Sequence, residues 1–351
     1  MVHNDGLPGA SRLSKDSMID DSFQGNLDPH RRPVTYLRVS VTDRCNLRCL
    51  YCTPVRNLKL IRHEEILSYE EILTVIRAAA KIGIRKIRVT GGEPLVRKDV
   101  SELVRAIART DGIQDVGLTT NGVFLKDKAS SLREAGLRRV NVSLDTLDPG
   151  KFRWITGRDR QRDVLEGLEV VEALGYNPIK INVVAIRGVN DDEIEQFARL
   201  TLERPFTVRF IEYMPIGRDH MHLEESYIPC QEIKDRVERI APLLHLSPGP
   251  LDGPSEKYRF AGAHGEIGFI SAVSRHFCQT CNRLRLTADG KLRPCLLSDH
   301  ELEVKSLLRR GSSEKDLIHR LLESIASKPE GHNMHEASAV GCMKGMSSIG
   351  G

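Results

Sequence analysis

Between residues 34 and 211, short segments rich in β-branched residues alternate regularly with segments of helical periodicity. Strands are predicted at 34–41, 86–90, 116–120, 139–144, 179–185 and 207–211, and helices at 69–82, 100–108, 126–135, 162–174 and 192–202. Strands joined by helical crossovers pair in parallel, so the alternation predicts a parallel sheet. Six repeats fall short of the eight of a complete barrel, which favours a partial (β/α)6 barrel.

The alternation stops near residue 215, and the rest of the chain is predicted to be a different kind of structure. Residues 243–256 are dense in Pro and Gly and are interpreted as a linker. Short strands at 258–261, 266–270 and 284–287 and a helix at 314–327 predict a small antiparallel β plus helix domain. The predicted division is a disordered tail at 1–32, the barrel at 33–242 and a C-terminal domain at 243–351.

Composition narrows the function classes. The net charge of +4 over 351 residues suits an anionic substrate but is too weak and dispersed to indicate nucleic-acid binding. No apolar run approaches the roughly 20 residues of a membrane helix, and no secretory signal is visible at the start. The expected protein is cytoplasmic, without nucleic-acid or membrane partners, and its eight cysteines do not indicate a disulfide framework.

The first cysteine cluster is Cys45, Cys49 and Cys52, in the stretch CNLRCLYC. Three thiolates can hold three corners of a [4Fe–4S] cube and leave the fourth iron open to another ligand. The alternative is a structural zinc site built on Cys49 and Cys52, which needs two further ligands. His63 is the nearest histidine, and no second candidate zinc ligand accompanies it in the sequence.

A second cluster, Cys278, Cys281 and Cys295, again offers three cysteines rather than four. By itself it is also compatible with a zinc ribbon in which His276 is the fourth ligand. Cys230 and Cys342 stand alone and are interpreted as spare thiols.

Polar residues follow the predicted strands at their carboxyl ends, where parallel β/α folds place their catalytic groups. The segments are 90–94 (TGGEP), 119–122 (TTNG), 143–145 (SLD) and 212–215 (EYMP). Each is weak alone, but together they predict one polar rim. Lys180, if it points into the barrel, needs an anionic partner because burial of an unpaired charge is costly.

The spacing Cys45-x3-Cys49-x2-Cys52, with Tyr51 before the last cysteine, resembles the signature of the radical S-adenosylmethionine (SAM) superfamily. The GGEP segment at Gly91–Pro94 and the partial barrel are similar to features of the same superfamily. The second cluster, the run Asn282–Arg285 and the terminal Gly350–Gly351 resemble the molybdenum cofactor biosynthesis protein A family of GTP 3′,8-cyclases. The resemblance covers about residues 33–351.

The resemblance implies two [4Fe–4S] clusters, SAM as cofactor and GTP as substrate. The implied metal ligands are Cys45, Cys49, Cys52, Cys278, Cys281 and Cys295, and the first three act in catalysis with the C-terminal Gly350 and Gly351. Implied SAM contacts are Tyr51, Gly92, Ser143 and Met214. Implied GTP contacts are Arg38, Arg88, Thr119, Lys180, Arg283, Leu284 and Arg285.

The reaction implied by the resemblance begins with a 5′-deoxyadenosyl radical, which abstracts hydrogen from C3′ of GTP so that C3′ joins C8 of guanine. It implies a flavodoxin- or ferredoxin-like one-electron donor, a downstream cyclic pyranopterin monophosphate synthase that receives the product, and allows a homodimer. Thr53 replaces the family's usual Met, and Leu47 its common Phe. The alternatives are another two-cluster enzyme, such as a peptide-modifying maturase, and a non-catalytic zinc-binding module.

Overall fold

The described strands form one twelve-stranded sheet whose central part is parallel. The computed structural model describes residues 26–52, 60–214, 216, 223–249, 252–332, 342 and 345–350. The sheet order is β12-β11-β10-β1-β2-β3-β4-β5-β6-β9-β8-β7. Among these residues no helix is long and apolar enough to cross a membrane.

Six parallel strands and their crossover helices confirm the predicted partial barrel. The strands are β1 Tyr36–Ser40, β2 Lys86–Thr90, β3 Asp115–Thr120, β4 Arg139–Ser143, β5 Ile179–Ala185 and β6 Phe206–Glu212. The helices are α1 Tyr69–Lys81, α2 Val100–Ala108, α3 Leu125–Glu134, α4 Pro149–Thr156, α5 Gln161–Ala173 and α6 Ile194–Glu203. Helix α4 was not predicted, because Pro149 and Gly150 at its start are common turn residues. Asp148 caps it by accepting a hydrogen bond from the backbone of Lys151.

Local sequence explains why the helices begin where they do and how they pack. Ser68 and Glu71 form a reciprocal capping box at the start of α1. Apolar residues of α1 at helical spacing, including Ile72, Val75 and Ile76, are fully buried against the sheet. The outer face of the sheet and these helices share one hydrophobic core, which leaves the inner face available for polar side chains.

The C-terminal part contains the predicted antiparallel strands and helix, and two of its strands also extend the barrel sheet at both edges, which was not predicted. Strand β9 pairs in parallel with β6, and β10 pairs in parallel with β1. The remaining elements are α7 Leu223–Ser226, α8 Cys230–Glu238, β7 Leu243–Leu246, β8 Glu256–Phe260, β9 Glu266–Ile270, β10 Arg283–Leu286, β11 Lys291–Arg293, β12 Leu302–Glu303, α9 Lys305–Arg309, α10 Glu314–Ala326 and α11 Met346–Ile349. Among the strands of the described residues, antiparallel pairing is confined to β10–β11–β12 and β7–β8–β9. Open edges of a sheet accept further strands, which is why local periodicity did not predict this arrangement.

Two predicted boundaries also change. Strand β7 lies inside the predicted linker 243–256, since residues 243–246 pair with β8. Residues 26–32, the end of the predicted tail, are packed: Asp28 and Arg32 form a buried ion pair. Residues 1–25, Thr53 and Gly351 lie outside the described residues.

Candidate active site

The inner face of the sheet encloses a cavity of about 290 Å³ that extends to the carboxyl ends of the strands. It brings together most of the predicted site residues: Arg38, Cys45, Cys49, Tyr51, Cys52, Arg88, Gly92, Thr119, Ser143, Lys180, Met214, Arg283 and Arg285. A smaller adjoining cavity contains Cys278, Cys281 and Cys295 and shares Met214, Arg283 and Arg285 with the first. The three-cysteine sets therefore lie at two connected spaces.

The loop carrying Cys45, Cys49 and Cys52 leaves the carboxyl end of β1 and contacts the ends of two neighbouring strands. Cys45 Sγ accepts hydrogen bonds from the backbone of Leu47 at 3.4 Å and from Asn121 Nδ2 at 3.7 Å. Asn121 follows β3, and its backbone donates to the buried Glu93 carboxylate at 2.7 Å. These contacts confirm the predicted common rim.

The first three thiols have the donor chemistry that an iron–sulfur cluster needs. Burial raises the pKa of Cys45, and it raises the pKa of Cys49 well above the ordinary value, with Cys52 and Asp145 adding to the effect. Thiolates are the ligand form, so three of them here need a cationic centre such as iron to offset their charge. Each thiolate binds a different iron of a cube, and in the described parts of the chain no three His, Cys, Asp or Glu side chains converge on one point.

Tyr51 and Asp145 form a buried pair beside this loop. The Tyr51 hydroxyl donates to Asp145 Oδ2 at 2.5 Å, and the backbone of Val184 donates to Asp145 Oδ1 at 2.8 Å. Burial raises the pKa of Asp145 to about 6, against the opposing effect of these two hydrogen bonds. The pair joins the cysteine loop to β5 and so fixes the side of the cavity on which SAM contacts were predicted.

Gly91 and Gly92 press directly against the backbone before the cysteine loop. The backbone of Gly92 donates to Thr42 at 2.6 Å, and that of Glu93 donates to the carbonyl of Arg44 at 2.7 Å. A Cβ on Gly92 would lie 2.4 Å from the carbonyl oxygen of Arg44, closer than atoms can approach. The absence of a side chain is thus required for the loop and the GGEP segment to pair, and it leaves a cradle where the resemblance places SAM.

Gly92→Ala is expected to weaken SAM binding roughly a hundredfold, because a clash with backbone costs about 3 kcal/mol and must displace the loop. Anaerobic calorimetry of SAM binding to the reconstituted protein measures the effect. Gly249→Ala is the matched control, since a Cβ there meets nothing nearer than 3.4 Å. Equal SAM affinity in the two variants would contradict the role of the close approach.

The second cysteine set is surrounded by cations. Burial opposes ionisation of Cys281, but Arg283 and Lys328 outweigh it and lower its pKa to about 6. The Lys328 ammonium lies 3.8 Å from Cys281 Sγ and donates to the carbonyls of Arg283 and Pro294. Cys281 is therefore prepared as a thiolate ligand. His276, the fourth ligand of the zinc alternative, has its ring 5.0 Å from that of His332.

Arg32 and Lys328, both buried, support this set and were missed by the sequence interpretation. Arg32 donates to the carbonyl of Cys278 at 2.7 Å and to those of Pro329 and Glu330. Arg32 was assigned to the disordered tail and Lys328 follows the last predicted helix, and in such positions a charge indicates solvent exposure. The signal available in the sequence was weak: Asp28 and Arg32 are spaced as a salt-bridged pair.

Buried cations form the wall of the main cavity. Arg88 donates to the Tyr36 hydroxyl at 3.2 Å and to Asn141 Oδ1 at 3.1 Å. Burial, followed by the charges of Arg209 and Arg88, lowers the pKa of Lys180 to about 7. Burial and the nearby Arg38 hold the pKa of Arg285 well below its usual range. Such a concentration of positive charge is costly until an anion binds.

An unpaired acceptor and several further polar residues complete the cavity. The buried Thr119 Oγ1 has no hydrogen-bond partner among the described residues, so it is available to a ligand. Arg209, whose pKa burial lowers to about 9, donates to Asn182 Oδ1, and Lys86 pairs with Asp115 at 3.3 Å. Thr119 was predicted as a GTP contact, whereas Lys86, Asn182 and Arg209 were not predicted individually. The available signal was alternation, because Lys86, Arg88 and Thr90 occupy every second position of β2 and so share one face.

Two predicted site residues, Leu284 and Gly350, do not line the main cavity. Leu284 is fully buried in the hydrophobic core, on the opposite face of β10 from Arg283 and Arg285, so its side chain does not reach the cavity. Gly350 lies at the carboxyl ends of β1 and β2, where a Cβ would be 3.1 Å from that of Ser40. The Arg285 guanidinium donates to the Gly350 carbonyl at 2.7 Å. The C-terminal segment therefore reaches the barrel.

The fold and the two cysteine sets define a radical SAM protein. Residues 39–201 match the family described as the radical SAM superfamily, and residues 206–334 match the family described as Molybdenum Cofactor Synthesis C. SAM and iron–sulfur clusters are its cofactors. The alternative hypothesis of a non-catalytic zinc-binding module is therefore excluded.

Curated relatives identify the family within that class. A GTP 3′,8-cyclase of Moorella thermoacetica is 48% identical over 92% of this chain and 99% of the relative. One of Thermodesulfovibrio yellowstonii is 47% identical over 95% of this chain and 100% of the relative. The chain belongs to the GTP 3′,8-cyclase family.

Solved structures confirm the fold. SuiB of Streptococcus suis bound to its precursor peptide SuiA has a TM-score of 0.58 at 15% identity, covering 90% of this chain and 76% of that chain. SuiB bound to SAM has a TM-score of 0.55 at 16% identity, covering 81% and 67%. At this identity the likeness concerns the fold and gives no support to a peptide substrate.

Proposed function

We propose that this protein is a GTP 3′,8-cyclase that converts GTP to (8S)-3′,8-cyclo-7,8-dihydroguanosine 5′-triphosphate, the first step of molybdenum cofactor biosynthesis. The observation that carries the proposal is one cavity that joins a three-cysteine loop, a wall of buried cations and a second three-cysteine set. Membership in the family supports the same activity.

The cavity residues bind and orient the substrate. GTP carries about four negative charges, which Arg38, Arg88, Lys180 and Arg285 can neutralise with charge-assisted hydrogen bonds. Arg283 lines both cavities and would align the nucleoside between them. Holding C3′ and C8 of one molecule close together is the main contribution of the protein to ring closure.

The first cysteine loop and its surroundings hold the cofactor. Cys45, Cys49 and Cys52 would hold a cluster that, when bound, would supply the one-electron reduction on which SAM cleavage depends. Tyr51, Gly92, Ser143 and Met214 would orient SAM, and Gly350 with Gly351 would close the site at the strand ends and exclude water. Cys278, Cys281 and Cys295 would hold the second cluster beside the guanine.

The remaining assignments complete the proposal. A flavodoxin- or ferredoxin-like protein supplies the electron, and cyclic pyranopterin monophosphate synthase receives the product in the cytoplasm. The direct test is anaerobic reconstitution with iron and sulfide, followed by SAM, dithionite and GTP. Mass spectrometry must then find the cyclised nucleotide; methionine and 5′-deoxyadenosine without it would contradict the proposal.

Lys180→Met is expected to raise the Kd for GTP roughly 10- to 100-fold, since a hydrogen bond to a charged group contributes about 1.5–3 kcal/mol. The unliganded protein should keep its thermal stability, because Lys180 is only 8% exposed, and burial together with Arg209 and Arg88 outweighs the favourable effect of Asp252 on its charge. Calorimetry with GTP and a melting curve measure both. The exposed Lys315→Met is the control, and unchanged GTP affinity in Lys180→Met would exclude the contact.

A further inference from the structure

An exposed tryptophan lies beside the first cysteine loop. Trp154 is the single tryptophan of the chain and is 56% exposed on α4, while its neighbours Phe152 and Ile155 are buried. Large aromatic side chains are normally covered and are enriched at protein interfaces. The exposure of Trp154 therefore favours a role in contacting another protein.

Three exposed arginines lie in the two hydrogen-bonded segments around this tryptophan, residues 48–50 and 153–158. Arg48, Arg153 and Arg158 are exposed, and in the described parts of the chain none of them forms an ion pair, although the Arg48 guanidinium donates to the carbonyls of Cys45 and Leu47. Three cations nearby differ, since Lys151, Arg160 and Arg162 are paired with Asp192, Asp163 and Glu166. Asp159 is the one acid between residues 151 and 160. The face formed by Arg48, Arg153, Trp154 and Arg158, here called the α4 face, is thus positive around an apolar centre.

The α4 face is joined directly to the cluster loop. The backbone of Arg48 donates to the carbonyl of Thr156 at 2.8 Å, and that of Leu50 donates to the carbonyl of Ile155 at 3.0 Å. Leu50 lies between Cys49 and Cys52, so the residue next to Trp154 is hydrogen-bonded to the segment between two ligands. A protein bound at this face would approach the first cluster from outside the barrel, away from the GTP-binding residues.

We infer that the α4 face is the docking site of a small acidic electron-carrier protein. The inference rests on the proposed function, which requires one electron from outside. The reduced carrier loses one electron to the centre held by Cys45, Cys49 and Cys52, and no bond forms or breaks between the proteins. Complementary charge accelerates association, and a central aromatic residue contributes affinity.

The test compares a protein reductant with a chemical one. In the variants Trp154→Ala and Arg153→Glu/Arg158→Glu, 5′-deoxyadenosine formation with reduced flavodoxin at low salt is expected to fall about tenfold or more. With dithionite, which needs no docking, the rate should stay within about twofold of the unchanged protein. The charge-reversal variant should also lose most of its dependence on salt.

Matched controls separate docking from other effects. Arg77→Glu/Arg109→Glu reverses two exposed arginines on other helices, and Leu244→Ala removes another exposed apolar side chain; both should retain full rates with flavodoxin. An equal loss with both reductants, or no loss with either, would overturn the inference. The inference would also be overturned if Trp154→Ala, and none of the control variants, changed the sedimentation coefficient of the protein. That result would show that the α4 face is an interface between copies of this chain. Failure of the proposed function would be seen separately, as no cyclised nucleotide formed from GTP by the unchanged protein with dithionite.

Discussion

Cys49→Ala is expected to form no 5′-deoxyadenosine with either reductant, a loss of at least about a thousandfold. Cys49 is half-buried in the middle of the first cluster loop, and the other two thiols cannot hold a cube with its open position preserved. Iron analysis after reconstitution should give about half the iron of the unchanged protein. Product analysis by mass spectrometry checks the activity.

Cys230→Ala is the control for this first variant. Cys230 is a buried thiol outside both three-cysteine sets, at the start of α8, and its removal should leave iron content and SAM cleavage near normal. If Cys49→Ala still cleaves SAM while retaining full iron, the assignment of the first set is wrong.

Cys281→Ala is expected to separate the two half-reactions. SAM cleavage should continue without coupling, because Cys45, Cys49 and Cys52 lie in the main cavity and do not depend on the second set. The cyclised nucleotide should fall below detection, since the second cluster would no longer hold the guanine beside C3′. Measuring 5′-deoxyadenosine and cyclised product in the same sample gives the ratio directly.

Lys328→Met is a useful companion to Cys281→Ala. It keeps all six ligands but removes the ammonium that lies 3.8 Å from Cys281 Sγ. A partial loss of product in this variant, beside complete loss in Cys281→Ala, would indicate a supporting role for the charge. If Cys281→Ala loses SAM cleavage and product equally, the second set is structural and its proposed role in substrate binding is contradicted.

Local sequence predicted the barrel well because its repeating unit is local. The bounds of β2, α2 and β5 agree with the prediction, since apolar periodicity and terminal turn residues lie within each segment. Both cysteine sets were also visible, because their ligands fall within a few residues of each other in the chain. Helix α4 was missed, although it supports the cluster loop and carries Trp154.

The less predictable part of the site consists of long-range contacts. Arg32 reaches a carbonyl 246 residues away, at Cys278, and Lys328 joins the backbone at Arg283 to that at Pro294. Nothing in the neighbouring sequence marks either residue, because burial of a charge depends on carbonyl groups supplied by distant segments. Arg209 was also missed, although the alternation of side chains along β6 places it on the inner face of the sheet.

The sequence alone indicated the class of chemistry through its resemblance to the radical SAM superfamily, because the residues that carry the resemblance are close together in the chain: three cysteines in eight residues, and three more near the other end. It also determined the parallel strands whose ends form the rim. The tertiary structure decided how the two halves combine. Strands β9 and β10 complete hydrogen bonds at opposite edges of the sheet, and this pairing brings the second cysteine set, Arg285 and Gly350 to the cavity. Which strand pairs at an edge of the sheet depends on which distant segment can satisfy the open backbone N–H and C=O groups there. Local sequence does not specify this.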